Sequence, residues 1–416
     1  MPRLLPIRLM YFLTFAMLGA WLPFLALYLT SELEWTQKQV GWLLALSSLS
    51  IMITPVLVTL LADMRVQPRR LIMVVNLLTC ISFLVLRQTE TFWLVMVVFL
   101  FYSMVSTPLI ALQDGLFFSF SKDHPETAPP FHRIRVFGTF GFIFPSLVMF
   151  VLLKMGFNIR VMMTLAAVLS FLSLLNTLLL PNVKHQPAKA NRLPTRDAMA
   201  VMCKKHVMYF SAGLWLMHMV SAGFYAFHPV WLRDVVHLDD KWVGLMANLG
   251  VTVEIFFMLG FGLLLGKLGL RKLLVLGMIS TAFRMAILAF CSSLPLVIFS
   301  QFFHGMMVLI VHVAPPVFLN ANAKQSFRSS IQGLFAMAVA GTGRIIGNFV
   351  AGYLADISLS LLYSYCIVLC LLAAAIVYWG LRSWDMHQIS KTGDDEDVLD
   401  EQDQVSAEMI DAPPES

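Results

Sequence analysis

Twelve stretches of predominantly apolar sequence recur along this chain, lying near residues 7–31, 40–63, 70–87, 92–120, 133–154, 161–180, 206–236, 242–267, 271–291, 294–320, 328–355 and 359–382. A helix needs about 20 such residues to cross the hydrocarbon of a bilayer. Each stretch is long enough for that, and each is bounded by charged residues, proline or glycine. Composition agrees: 59% of the 416 residues are hydrophobic and 13% are charged. A soluble domain carries about 45–50% and about 25%. So little charge cannot cover a surface facing water, so lipid is the expected solvent and the expected class is an all-α integral membrane protein. The 33 Phe and 26 Met suit lipid-facing and irregular packing positions. Cys80, Cys203, Cys291, Cys366 and Cys370 form no CxxC pair, so neither a disulfide framework nor a metal site is expected. The first stretch lacks a small-residue cleavage site and reads as a retained helix.

Positive charge orients these helices. Lys and Arg are counted loop by loop. One side of the membrane collects 21 of them and the other only six: Lys38, Arg87, Lys154, Arg160, Arg233 and Lys241. Arg284 and Arg344 remain within apolar stretches. The positive-inside rule then places both termini in the cytoplasm, in a multi-pass protein of a bacterial-type inner (plasma) membrane. The one long polar break, 183–205, is basic and holds Pro187 and Pro194. It divides the chain into a six-helix bundle over 1–182 and a second over 206–384. Two bundles joined by a cytoplasmic linker suit a central site that opens alternately to either side. In the tail over 385–416, the part after Lys391 carries ten acids and no base. The segment reads as a solvated, disordered cytoplasmic tail.

The loop after the second helix runs Leu61-Ala62-Asp63-Met64-Arg65-Val66-Gln67-Pro68-Arg69-Arg70. It resembles the signature of the major facilitator superfamily. Asp63 and the Arg69–Arg70 pair are kept, but the two glycines of that pattern are absent. An acid at a helix end facing a basic turn can latch neighbouring helices in one state of a cycle. Positive-inside topology alone also accounts for the bases. Gly266-Lys267-Leu268-Gly269-Leu270-Arg271-Lys272 is a weaker echo at the matching place in the second half. The resemblance implies twelve transmembrane helices in two bundles and transport rather than catalysis.

Ionisable residues inside apolar stretches are costly and are by default functional candidates. They are Asp114 in helix four, Glu254 near the middle of helix eight, Arg284 in helix nine, and His304 and His312 in helix ten. Arg344 and Asn348 stand one turn apart in helix eleven and share a face. His218, Ser221 and Tyr225 form a polar stripe along helix seven, with His228 nearby. Buried pairs that only hold helices together would use the same residue types. A lone histidine is more often a hydrogen-bonded filler than a proton carrier.

Three short segments are similar to the sugar- and phenylpropionate-permease branch of the superfamily: Val253-Glu254-Ile255, Ala282-Phe283-Arg284 and Phe303-His304-Gly305. The start of helix five (133–142), residues 106–115 and Gly223-Phe224-Tyr225-Ala226-Phe227 carry the same likeness. In lactose-permease-type proteins a Glu, an Arg and a His on helices eight, nine and ten serve proton coupling with a further Glu on helix ten. The first three match Glu254, Arg284 and His304. The last falls at Met307 here, and the phenylpropionate-permease type also lacks that Glu. The resemblance therefore implies proton coupling through Glu254, Arg284, His304 or Asp114, with no cofactor besides the proton gradient.

The resulting expectation is a proton symporter for a small organic solute, a phenylpropionate-like aromatic acid, a nucleoside or a sugar. Arg284 is expected to pair with Glu254 or with an anionic substrate. Arg344 and Asn348, with Tyr225, His218, Tyr11 and Trp21, are the expected substrate-binding set. Asp63, Arg69 and Arg70 form the expected gating loop. The expected partners are the solute and the lipid bilayer, with no nucleic acid; the sequence leaves the oligomeric state open, and a monomer is compatible with it. The competing reading is a transporter-shaped sensor or scaffold that signals through its acidic tail. The sequence shows no paired carboxylates, metal-ligand spacing or nucleophile–base motif, so an enzyme is not expected.

Overall fold

A computed structural model describes residues 4–53, 67–126, 128–181, 195–324 and 327–382. Asp63, residues 183–194 of the expected linker and the acidic tail lie outside the described residues. Within them every regular element is helical. In chain order these are α1 (Leu4–Ser31), α2 (Gln37–Ser47), α3 (Pro68–Gln88), α4 (Phe92–Asp123), α5 (Phe131–Lys154), α6 (Val161–Thr177), α7 (Lys205–Asp234), a run over Asp240–Phe290 made of α8 (240–268) and α9 (270–290), then α10 (Leu294–Ala321), α11 (Ser330–Ile357) and α12 (Leu359–Gly380). A short helix, Thr195–Met202, precedes α7.

Nine helices among the described residues are long and apolar enough to cross a membrane. Three features separate that count from the expected twelve. The 51-residue run Asp240–Phe290 counts as one helix, yet at 1.5 Å per residue it would span about 76 Å, far more than one crossing of about 30 Å. Gly269 breaks it with φ 72° and ψ 159°, a backbone open to glycine. The helix α6 has only 17 residues, and α2 reaches the edge of the described residues soon after its capping box, in which Thr36 and Gln39 bond reciprocally.

The helices sort into two groups. The first is α1 to α6, with α1 against α5 and α6, and α3 against α4 and α6. The second is α7 to α12, with α7 against α11 and α12. Large apolar side chains face outward, among them Trp93, Phe256, Leu259 and Trp379. That is where lipid replaces water as the packing partner.

Close approach of α1 and α5 depends on two glycines. A Cβ at Gly141 would overlap the Phe12 carbonyl, and one at Gly19 would overlap the Phe142 carbonyl. A side chain at 141 must therefore force the helices apart, at a cost of about 1–3 kcal/mol or more. Gly141→Leu is expected to lower the detergent-solubilised melting temperature by several degrees and reduce membrane abundance. Thermal-shift fluorescence measures the first and immunoblotting the second.

Candidate functional site

A cavity of about 420 Å³ lies where the two groups meet, with walls from α1, α2 and α4 on one side and α7 and α11 on the other. Its position follows from irregular helix geometry. In α1, Pro23 lacks a backbone N–H, and residues 22–24 leave the helix beside Trp21 and Leu25. In α4, Thr107 and Pro108 interrupt the ladder next to Ser103 and Ser106. Irregular backbone at membrane depth is tolerated where it lines a cavity. In α11 a π-helical turn, Ala336–Gly341, immediately precedes Arg344.

The cavity lining is apolar with a set of hydroxyls. Several of these donate to carbonyls of their own helix: Ser48 to Leu44 at 2.7 Å, Ser103 to Phe99 at 2.9 Å and Ser50 to Ser47 at 2.7 Å. Their oxygens still accept. Asn348 donates from Nδ2 to Ser48 Oγ at 3.2 Å across the seam between the two groups. Arg344 lines the same wall and makes no hydrogen bond or ion pair with a described residue. Among the described residues no Asp or Glu lines the cavity. A guanidinium therefore faces it without a counter-charge among the described residues.

The expected substrate residues divide accordingly. Arg344, Asn348, Tyr225 and Trp21 line the cavity, and so does Ser221 of the helix-seven stripe. His218 is buried against Phe335, both ring nitrogens without a hydrogen-bond partner among the described residues. Tyr11 is fully buried, and its hydroxyl donates to Asp114 Oδ1 at 2.6 Å. Arg135 lies over the Phe15 ring at 4.1 Å and over Tyr11 at 6.0 Å. Tyr11, Asp114 and Arg135 thus form a cluster inside the first group, one turn from the cavity residue Ile110.

In the second group the expected Glu254–Arg284 pair does not form. Arg284 is fully buried, with its Nη1 2.6 Å from His304 Nδ1 and its Nη2 donating to Gln301 Oε1 at 2.8 Å. Its Cζ sits 4.2 Å above the Phe224 ring. Gln301 also approaches His228 Nε2 at 3.4 Å, and His304 Nε2 lies 3.5 Å from the Tyr225 hydroxyl. Two neutral acceptors and an aromatic face occupy the guanidinium where a carboxylate was expected. Glu254 is half-buried, with no hydrogen bond or ion pair to a described residue, close enough to Tyr225 to act on it electrostatically. Gly250, one turn earlier, packs on His304 and Gln301.

Of the expected gating loop, Arg69 and Arg70 are described. Arg69 donates to the Thr177 carbonyl at 2.9 Å and to the Leu178 carbonyl at 2.5 Å, capping the end of α6. Arg70 is exposed. Sequence reasoning passed over Gln301, Arg135 and the hydroxyls of α2 and α4. The Ser103-Ser106-Thr107-Pro108 cluster was the available signal, because serine and threonine beside a proline within a span mark an opened helix.

The seam is closed at the end away from the termini. There Gly41 and Gly352 bring α2 and α11 into backbone contact, and Lys38 pairs with Asp356 at 3.8 Å over the Tyr353 ring. Asn248 bonds the Ile143 carbonyl at 3.0 Å between α8 and α5, and Arg233 reaches Thr30 at 3.2 Å. Outside the membrane at this end, Lys241 holds the Asp239 carboxyl below the usual carboxylate range. Toward the termini Phe140 of α5 and Leu263 of α8 are exposed.

An exposed ion pair such as Lys38–Asp356 is worth at most about 1 kcal/mol, so that pair by itself is a weak latch. Cysteines at 38 and 356, bridged by a short reducible bis-thiol reagent, are expected to hold it shut. Transport should fall to background and return on reduction, while each single variant stays active. Solute flux in proteoliposomes before and after reductant measures this.

The sequence profile of the MFS_1 like family matches residues 4–382. Nucleoside permease NupG of Escherichia coli (strain K12) is 22% identical over 369 residues, covering 84% of this chain and 87% of that one. The putative nucleoside transporter YegT of the same organism is 25% identical over 365 residues, covering 83% of each. Two crystal structures of nucleoside transporter NupG superpose with TM-scores of 0.82 and 0.79, at 20% and 21% identity. They cover 91% and 89% of this chain and 99% and 98% of theirs.

Proposed function

Because the chain belongs to the MFS_1 like family, and so is a multi-pass transporter of the major facilitator superfamily for a small solute, we propose that it carries nucleosides by proton symport. In this proposal the protein sits in a bacterial inner membrane with its termini in the cytoplasm. The observation that carries the substrate class is the cavity itself. About 420 Å³ is within the usual range of small-molecule sites, roughly 300–1,000 Å³. Its apolar wall suits a planar base, and its hydroxyls, Asn348 and Arg344 suit a sugar and the polar edges of a base. The relatives whose names state nucleoside transport support the same class.

A second reading rests on Arg344. A cation in a cavity lined by no described acid also suits the carboxylate of an aromatic acid. Uptake separates the two: cells lacking their own nucleoside carriers, expressing this chain, are given radiolabelled uridine, adenosine and 3-phenylpropionate. Uridine or adenosine should accumulate and collapse with a protonophore. Accumulation of 3-phenylpropionate alone overturns the nucleoside reading, and accumulation that survives the protonophore overturns proton coupling.

A further inference from the structure

We infer that Tyr225 is a specificity-determining donor to the transported solute, aimed by a hydrogen-bond chain from Arg284 through His304, and that His304 stays neutral rather than carrying the coupled proton. The inference rests on the reading that the 420 Å³ cavity holds the solute.

The direction of the chain follows from the chemistry of its first member. A guanidinium has five N–H donors and no acceptor. His304 Nδ1 lies 2.6 Å from Arg284 Nη1, so that nitrogen must present its lone pair. The imidazole is then neutral, with its one proton on Nε2. A proton on Nδ1 as well would set two donors against each other at 2.6 Å.

Arg284 has no slack to turn away. It is fully buried, its Nη2 is held by Gln301 at 2.8 Å and its plane lies over Phe224. His304 is itself buried, held edge-on to Tyr225 with ring centroids 5.7 Å apart and against Phe224 at 5.7 Å. The other histidine of this pocket, His228, faces Gln301 and stacks on Phe224 and Trp231. The proton on His304 Nε2 points at the Tyr225 hydroxyl, 3.5 Å away. This long bond makes the hydroxyl oxygen an acceptor on its protein side. The phenol's own O–H is then free to point away from His304, and Tyr225 lines the cavity. The solute therefore meets a donor there, which selects for an acceptor such as the carbonyl of a nucleobase.

Asparagine and glutamine substitutions of His304 separate the two ends of this chain. In His304→Asn the amide oxygen sits near the place of Nδ1 and can keep the bond to Arg284, but the shorter side chain cannot reach Tyr225. In His304→Gln the amide nitrogen falls near the place of Nε2 and keeps the donor toward Tyr225. Neither side chain can carry a proton. Full-length wild type and the His304→Asn, His304→Gln and Tyr225→Phe variants would be compared in proteoliposomes with radiolabelled uridine. The measurements are the counterflow KM and the accumulation driven by an imposed pH gradient, both normalised to protein in the membrane.

His304→Asn and Tyr225→Phe should each raise KM about tenfold, and the double variant no further, because both remove one interaction. His304→Gln should stay within about twofold of wild type. All should reach the wild-type accumulation ratio at saturating uridine. A His304→Gln protein that exchanges uridine but cannot accumulate it overturns the neutral assignment. An unchanged KM in Tyr225→Phe overturns the donor role. An unchanged KM in His304→Asn beside a raised one in Tyr225→Phe overturns the aiming role. If His304→Asn does not reach the membrane, His304→Ala, which also removes the donor toward Tyr225, takes its place in testing the aiming role. Tyr225→Phe and His304→Gln then decide the donor role and the neutral assignment. Absence of uridine exchange by wild type instead defeats the underlying substrate reading, and the assignment with it.

Discussion

Glu254→Gln is expected to abolish accumulation while leaving exchange intact. With one proton per solute, a pH gradient of one unit stores about 1.4 kcal/mol and supports about tenfold accumulation. The variant should fall to a ratio near one. Glu254 is half-buried in α8, and no described side chain bonds or pairs with it. Arg284, the cation expected to pair with it, is already occupied by His304 and Gln301. An ionised carboxylate within a span needs compensation, and a bound proton supplies it. Asp114 differs because it accepts from Tyr11 at 2.6 Å, with Arg135 beside the same ring. If coupling runs through Glu254, glutamine mimics the protonated state permanently. Substrate then crosses in both directions, but no proton returns. The test is counterflow beside gradient-driven uptake of uridine in the same vesicles. Full accumulation by Glu254→Gln moves the proton to Asp114.

The architecture was legible because lipid imposes a length and a composition on every crossing, so apolar runs alone located the helices. The break at Gly269 was legible as well, because Lys267, Arg271 and Lys272 surround it between two apolar runs. At the cavity, Arg344 and Asn348 could be read from an i, i+4 spacing that puts them on one face, and both line the wall. The pairing of Arg284 could not. A sequence shows which charged residues share a depth, but the choice among them is made by tertiary packing. Gln301, uncharged and at the start of a short 3₁₀ turn, offers no signal of that kind. Tyr11 illustrates the limit of a single helix face. Thr14, Leu18, Trp21 and Leu25 follow it at helical spacing into the cavity, while Tyr11, one turn short of them, meets Asp114 instead. The serines of α2 and α4 were obscure for another reason. Serine in a span commonly bonds its own helix, as Ser48 and Ser103 do here, so its presence does not announce a binding wall.

Arg344 is the residue whose loss should weaken substrate binding most. It stands on α11 one turn below Asn348, which bridges to Ser48 of the opposite group, so a solute bound to it also touches the seam. Hydrogen bonds to a charged group contribute about 1.5–3 kcal/mol, equivalent to roughly ten- to hundredfold in affinity. Arg344→Gln is therefore expected to raise the counterflow KM for uridine by at least tenfold, with normal abundance in the membrane. Arg344→Lys separates charge from shape. Lysine keeps the charge but loses the planar fork that can hold two acceptors at once. A nucleoside held through two acceptors should lose affinity almost as much with lysine as with glutamine. A carboxylate held mainly by charge should lose much less with lysine. Wild-type KM for both uridine and 3-phenylpropionate in Arg344→Gln would remove Arg344 from the binding site and leave it a structural cation of α11.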